Sequence, residues 1–253
     1  QFYTYLTDGL LTEADFEVGA DGRYNPNKPL APTVKGKKQR PGNVKYVDVD
    51  GSGSIDNDDR AAYGSNEPDV MFGFTNRFTY KDFELSIFLR GQIGGNVLWI
   101  GARNLDTGGK YGANNTLRRW LHCYKEDYPN GNPIPTELGV DMSWDGKTPT
   151  PYGLGDNSEQ DGQLHRTDLE IFDATFLRIQ NVSLAYNMPK KWLNALGIKA
   201  AKIYGTVENL HTFTDYVGNP DTNSYSTNPM LRGADYNTYP LSRKYIFGVN
   251  VTF

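Results

Sequence analysis

From Arg243 to Phe253 the chain reads Arg-Lys-Tyr-Ile-Phe-Gly-Val-Asn-Val-Thr-Phe, with Tyr245, Phe247, Val249, Val251 and Phe253 apolar at every second position. Between them lie Lys244, Ile246, Gly248, Asn250 and Thr252, most of them small or polar. Successive side chains of a strand point to opposite faces, so a strict period of two builds one apolar and one polar face. Such a strand belongs in a sheet whose two sides meet different environments. The edge of a soluble sandwich satisfies that requirement, and so does the wall of a membrane barrel. An aromatic final residue favours the barrel, because the ends of globular domains tend to be polar and frayed.

The same period recurs upstream. Residues 71–80 put Phe72, Phe74, Phe78 and Tyr80 on one side and Thr75, Arg77 and Thr79 on the other. After a tight connection at Lys81-Asp82, residues 83–93 return with Phe83, Leu85, Ile87 and Leu89 facing one way. A third strand is expected over 176–186, where the alternation slips between Leu177/Ile179 and Val182/Leu184/Tyr186 and a bulge is expected to switch the faces. A fourth is expected over 201–210 and the fifth over 243–253. The connections run long (1–68), tight (81–82), long (94–174), short (187–200), long (211–242). Barrels of the outer membrane alternate in this way, with short periplasmic turns and long external loops. Five strands cannot close a membrane barrel, which needs about eight, and an open sheet in lipid leaves backbone groups unpaired. The expectation is therefore an all-β chain: the C-terminal strands of a large antiparallel transmembrane β-barrel with long extracellular loops. Its 69–253 part carries the last five strands, and its 1–68 part is an extracellular loop region. Aromatic residues at 13% together with a mean hydropathy of −0.62 suit a wall that is apolar on one face only.

Several classes are disfavoured. No apolar run approaches the roughly 18 residues of a spanning helix. A net charge of −4 gives no general attraction for nucleic acid. Cys123 is the one cysteine, so an internal disulfide is impossible, and His122, His165 and His211 have no metal-binding spacing. No catalytic constellation is present, and an enzyme is not expected. Trp99, Trp120, Trp144, Arg103, Arg118 and Arg119 fall in expected external loops, where stacking and hydrogen bonding to a ligand compete with plain loop packing. The ligand-binding residues are not assigned.

Residues 48–59 carry the spacing of a calcium loop: Asp48, Asp50, Ser52, Asp56 and Asp59 offer side-chain oxygens, Ser54 its carbonyl, and Gly53 the sharp turn. Calcium takes six to eight hard oxygen donors, which this pattern supplies. An Asx-rich solvated turn has a similar composition. A structural calcium ion pinning an external loop is the preferred expectation, with affinity lowered where Ser52 stands in place of a carboxylate.

Five ordered segments carry a family resemblance: Val44–Arg60, Asn66–Phe74, Tyr80–Gly91, Asp173–Tyr186 and Val207–Thr214. Together they resemble the C-terminal portion of SusC-like (RagA-like) TonB-dependent outer-membrane transporters. Glu208, His211 and Ser52 depart from the family's pattern. Gly248, Val251 and Phe253 resemble the C-terminal assembly signal of outer-membrane barrels. The resemblance implies a Gram-negative outer-membrane location and a barrel of about 22 strands around an N-terminal plug. It also implies import of oligosaccharides or peptides with a SusD-like surface lipoprotein, with TonB engaging an N-terminal region that these residues do not include. The alternative is a soluble, secreted, calcium-stabilised β-sandwich that binds carbohydrate.

Overall fold

The computed structural model describes residues 1–20, 24–29, 33–34, 41–101, 117–124, 144–149, 167–221, 232–236, 238–239 and 241–253. Most of the loop residues expected over 94–174 and 211–242, Arg103 and His165 among them, lie outside the described residues. The chain divides into two compact units, residues 1–64 with 98–171, and residues 65–97 with 172–253.

The second unit is built on five antiparallel strands: β1 (Val70–Tyr80), β2 (Phe83–Ile93), β3 (Phe176–Asn187), β4 (Ala200–Phe213) and β5 (Lys244–Thr252). They form one sheet in simple chain order, each hydrogen-bonded to the next. β1 and β2 are each 11 residues long and β3 is 12. A tilted strand needs about 9–11 residues to cross a bilayer.

Register decides what each face presents. Tyr80, Phe78 and Phe74 of β1 stand opposite Phe83, Leu85 and Leu89 of β2. Phe83, Leu85 and Ile87 in turn oppose Tyr186, Leu184 and Val182 of β3. The row continues through Ile203, Gly205 and Val207 of β4 to Val249, Phe247 and Tyr245 of β5. One side of the sheet is thus apolar across all five strands. Its large side chains are open to the surroundings, with Phe247 83% exposed, Val249 61% and Leu184 52%. On the other side lie Arg77, Glu84, Ser86, Arg90, Arg178, Ser183, Lys202 and Thr206.

The slip in the β3 alternation has a local cause. Pairing of β3 passes from Ile179 directly to Asn181 against both neighbours, leaving Gln180 as an extra residue. That residue shifts the parity of β3, so Leu177 and Ile179 rejoin the face of Val182, Leu184 and Tyr186. On β4 the same irregularity spans Asn209 and Leu210, and Asn209 takes a left-handed backbone at φ 52°. Asn tolerates this region better than most residues. The residues just before β5 hold the bulge in place: Asn209 Nδ2 donates to the Ser242 carbonyl at 3.1 Å, and Arg243 Nη2 donates to the Leu210 carbonyl at 2.7 Å.

β4 and β5 also share a reciprocal fit. Gly205 pairs with Phe247, and Tyr204 with Gly248. On the apolar face the Phe247 ring lies 3.4 Å from where a Gly205 Cβ would stand. On the polar face a Cβ on Gly248 would clash with the hydroxyl end of the Tyr204 ring. Each strand supplies the bare backbone that the other's ring covers.

In the first unit, Phe2–Tyr5 pairs with Arg60–Tyr63, and Thr7–Leu10 with Val44–Tyr46. Tyr5, Val44, Tyr46 and Ile55 form its small core, with the Tyr5 and Tyr46 rings edge-on at 6.1 Å. Within the region read as loop, Glu13–Asp15 forms a short 3₁₀ segment, closed by Thr12 donating from N and Oγ1 to Asp15 Oδ2. Part of the loop region expected over 1–68 is instead a strand, Tyr24–Pro29, paired with Phe16–Val18.

An Ile87→Arg change puts a charge mid-strand on the apolar face and should destabilise the assembled sheet by about 2–4 kcal/mol, while Ser86→Arg on the opposite face costs far less. Denaturant titration of the two variants refolded into lipid vesicles checks the asymmetry.

Candidate functional site

The polar face carries a cross-strand network. Glu84 of β2 accepts from Lys202 Nζ of β4 at 2.6 Å and from Asn187 Nδ2 of β3 at 2.7 Å. Thr206 Oγ1 donates to Ser183 Oγ at 2.8 Å. A hollow of about 360 Å³ lies over this network, lined by Arg77, Glu84, Ser183, Lys202, Tyr204 and Asn250. Polar side chains at alternate positions give this face the chemistry of a wetted interior.

Toward the long-loop end, residues 214–221 fold back over the polar face. Asp221, 2% exposed, meets both Arg178 Nη1 at 3.3 Å and Arg90 Nη1 at 3.0 Å. Arg178 is 2% exposed as well; its Nε donates to Thr212 Oγ1 at 2.9 Å and its Nη2 to Asn219 Oδ1 at 3.2 Å. Its guanidinium carbon lies 4.9 Å from the centre of the Phe176 ring. A carboxylate so deeply buried is tolerable only because two guanidinium groups compensate it. Tyr216, in the same segment, donates from its hydroxyl to Asp235 Oδ2 at 2.7 Å, and burial beside that carboxylate pushes the phenol pKa up. Nothing in the sequence pattern indicated the Arg178–Asp221 pair, whose members are 43 residues apart.

The acidic loop lies between Val44–Tyr46 and Arg60–Tyr63, so both of its ends are held in the sheets of the first unit. Asp48, Asp50 and Asp59 bring one carboxylate oxygen each to within 4.8 Å of one another. They are the one such metal-capable group among the described residues. Asp59 is fully buried and accepts from Val49 N at 2.8 Å and Asp56 N at 2.7 Å. Asp48 accepts from the backbone N–H groups of Gly51, Ser52 and Gly53. The Ser52 backbone N–H holds the Asp50 carboxyl below the usual range. Of the other expected donors, Asp56 instead caps the 3₁₀ segment Asn57–Asp59, accepting from Asp58 N at 3.0 Å. The Ser54 carbonyl accepts from Ser52 Oγ at 3.0 Å. Three like charges at this separation repel one another, and a divalent cation relieves that repulsion. The donor set is all oxygen, which fits calcium.

Of the described candidate loop residues, the three tryptophans pack within the first unit, while Arg118 and Arg119 are exposed. Trp99, Trp120 and Cys123 are buried, and Trp144 donates from Nε1 to the Thr148 carbonyl while meeting Tyr124 edge-on. Arg119 stacks over Trp120 at 5.5 Å. His211 lies on the apolar face against Phe213. Of the assembly-signal residues, Gly248 lies beneath Tyr204, and Val251 and Phe253 are exposed.

An antiparallel sheet with one uncovered apolar face and one polar face is the wall of an outer-membrane β-barrel. No family model matches the chain. It is 27% identical over 257 residues to "TonB-dependent receptor P3" of Formosa agariphila, covering 100% of this chain and 22% of the relative. It is 27% identical over 214 residues to "TonB-dependent receptor SusC" of Bacteroides thetaiotaomicron, covering 82% of this chain and 17% of that protein. The solved structure of the RagAB peptide transporter superimposes with a TM-score of 0.65 at 19% identity, over 100% of this chain and 23% of the other, a likeness of fold. The chain thus spans about a fifth of the length of the curated relatives it matches. Sequence and fold together identify it as matching a C-terminal portion of the SusC-like, RagA-like TonB-dependent transporters of the outer membrane.

Asp221→Ala leaves Arg178 buried without its carboxylate and should cost about 3–5 kcal/mol. The loss is read as a lower unfolding midpoint of the transporter in detergent. An unchanged midpoint would show that the pair does not hold the returning segment.

Proposed function

We propose that this chain supplies wall and outer loops to a TonB-dependent importer that takes up oligosaccharides or peptides across the outer membrane. The carrying observation is the continuous apolar face, uncovered from Phe74 to Phe247, backed by a polar face with cross-strand ion pairs. In a soluble sandwich, the alternative reading, those rings would pack beneath a second sheet. The curated relatives named TonB-dependent receptors support the energy source, and the name SusC supports a SusD-like surface lipoprotein as partner. The fold likeness to a peptide importer keeps peptides beside oligosaccharides as cargo.

In this reading the wall closes with further strands, which satisfy the outer edges of β1 and β5 in lipid. TonB acts on a region outside these residues to open the path. Gly248, Val251 and Phe253 mark the strand that the assembly machinery recognises. The acidic loop holds a structural calcium ion through Asp48, Asp50 and Asp59, with Ser52, Ser54 and Asp56 on the same loop. When bound, the ion supplies charge compensation and rigidity there.

Cells lacking the full-length transporter should lose growth on one oligosaccharide or peptide source, and a protonophore should stop that uptake in wild-type cells. Undiminished growth on every source tried, or uptake indifferent to the protonophore, refutes import. Calcium should slow proteolysis within residues 44–63 relative to chelator, and Asp59→Ala should abolish the difference. Identical digestion patterns with and without calcium remove the metal assignment.

A further inference from the structure

The short-turn end of the sheet carries an uncompensated positive cluster. The second unit contains six lysines: Lys81, Lys190, Lys191, Lys199, Lys202 and Lys244. Lys202 pairs with Glu84 and Lys244 with Glu208, both on the polar face. The remaining four lie in the two short turns, all exposed, and among the described residues none forms an ion pair. Asp82 is the one carboxylate side chain in those turns. The cluster stands out against a chain whose net charge is −4.

Its position in depth is fixed by rings. Tyr80, Phe83 and Tyr186 end the apolar face at this side, with Phe83 and Tyr186 at 4.8 Å centre to centre. Aromatic side chains of this kind settle at the boundary between hydrocarbon and headgroups. Lys81 follows Tyr80 directly, and its ammonium lies 5.3 Å from the centre of that ring. Lys199 immediately precedes β4. In the helical turn Lys190–Leu193, Leu193 is buried while Trp192 beside it is 57% exposed. Lys81 is one residue beyond the ring layer at Tyr80, and Lys190, Lys191 and Lys199 lie four to five residues beyond Tyr186 or its partner Ile203, on the headgroup side of that layer. A hollow of about 480 Å³ beside these turns is lined by the polar-face residues Asn187, Lys202 and Asn250 as well as Lys190 and Lys199, so it opens to the polar side and is separate from the lipid-facing surface.

We propose that this end of the wall is a binding surface for anionic phospholipid headgroups, formed by Lys81, Lys190, Lys191 and Lys199 around Trp192. Short turns of outer-membrane barrels face the periplasm, so the lipid is an anionic phospholipid of the periplasmic leaflet. Ammonium groups attract its phosphate, and the exposed Trp192 and the ring layer meet the upper acyl chain. The inference rests on the membrane-spanning wall and is independent of the cargo.

The test uses the intact transporter, delipidated in neutral detergent and supplied with phosphatidylglycerol or phosphatidylcholine at equal concentration. Bound lipid is counted by native mass spectrometry. Wild type should retain phosphatidylglycerol over phosphatidylcholine, and Lys81→Gln/Lys190→Gln/Lys191→Gln/Lys199→Gln should cut that retention about threefold or more, with high salt having the same effect. If the fourfold variant does not assemble, Lys190→Gln/Lys191→Gln on the exposed turn carries the test. Equal retention of the two lipids, or retention unchanged by the substitutions, overturns the proposal. Displacement of phosphatidylglycerol by equimolar inorganic phosphate would assign the surface to free anions instead. Loss of a copurifying acidic protein, with lipid retention intact, would assign it to a protein partner. Growth on the imported nutrient is scored separately, so failure here leaves the import reading in place.

Discussion

Hydrocarbon offers a peptide group no hydrogen-bond partner, and the second unit is organised around that deficit. Each strand crossing a bilayer must satisfy its N–H and C=O groups through its neighbours. The order β5-β4-β3-β2-β1, with every contact antiparallel, does this for the three central strands. Because pairing is fixed by this demand, side-chain placement follows from register alone. One residue of slippage would carry an entire apolar row to the wet side. The extra residue Gln180 is therefore consequential: it repairs the parity of β3 where the sequence alternation breaks, and Asn209 and Arg243 hold that irregularity through backbone carbonyls.

The two faces also differ in how their contacts hold them together. On the apolar side there is no network to break, only rings and branched chains whose favourable environment is lipid. On the polar side, charges compensate one another across strands, as Glu84 of β2 and Lys202 of β4 do on either side of the Asn187 amide of β3. The Arg90–Asp221–Arg178 group extends that logic from strand to loop: a buried carboxylate ties residues 214–221 to the sheet, so part of a long connection is drawn inward over the polar face.

Sequence pattern reached the strands because period two is written in the side chains themselves. The expected segments 71–80, 83–93, 176–186 and 201–210 fall within β1 to β4, and β5 ends one residue short of the expected 253. β4 continues to Phe213, beyond the expected 210, because the bulge at Asn209 disguises the resumed alternation of His211 and Phe213. Strand Tyr24–Pro29 escaped notice since Pro, Asn and Lys read as loop, and its pairing with Phe16–Val18 is tertiary information. The carboxylates of the acidic loop were legible from spacing, though only Asp48, Asp50 and Asp59 converge, because Asp56 is engaged as a helix cap. Asp221 and Arg178 were not legible at all: an ion pair across 43 residues leaves no local signature.

The alternation of bare backbone and ring at Tyr204-Gly205 and Phe247-Gly248 bears on how the final strand finds its place. Sliding β5 by two residues would preserve which face is greasy, so polarity alone cannot distinguish the native alignment from its neighbours. It would, however, take Tyr204 off Gly248 and Phe247 off Gly205, and drive both rings against substituted positions such as Ile246 or Asn250 and Ile203 or Val207. The dipeptides thus act as a notched key at the seam, rejecting the misalignments that hydrophobicity would let through.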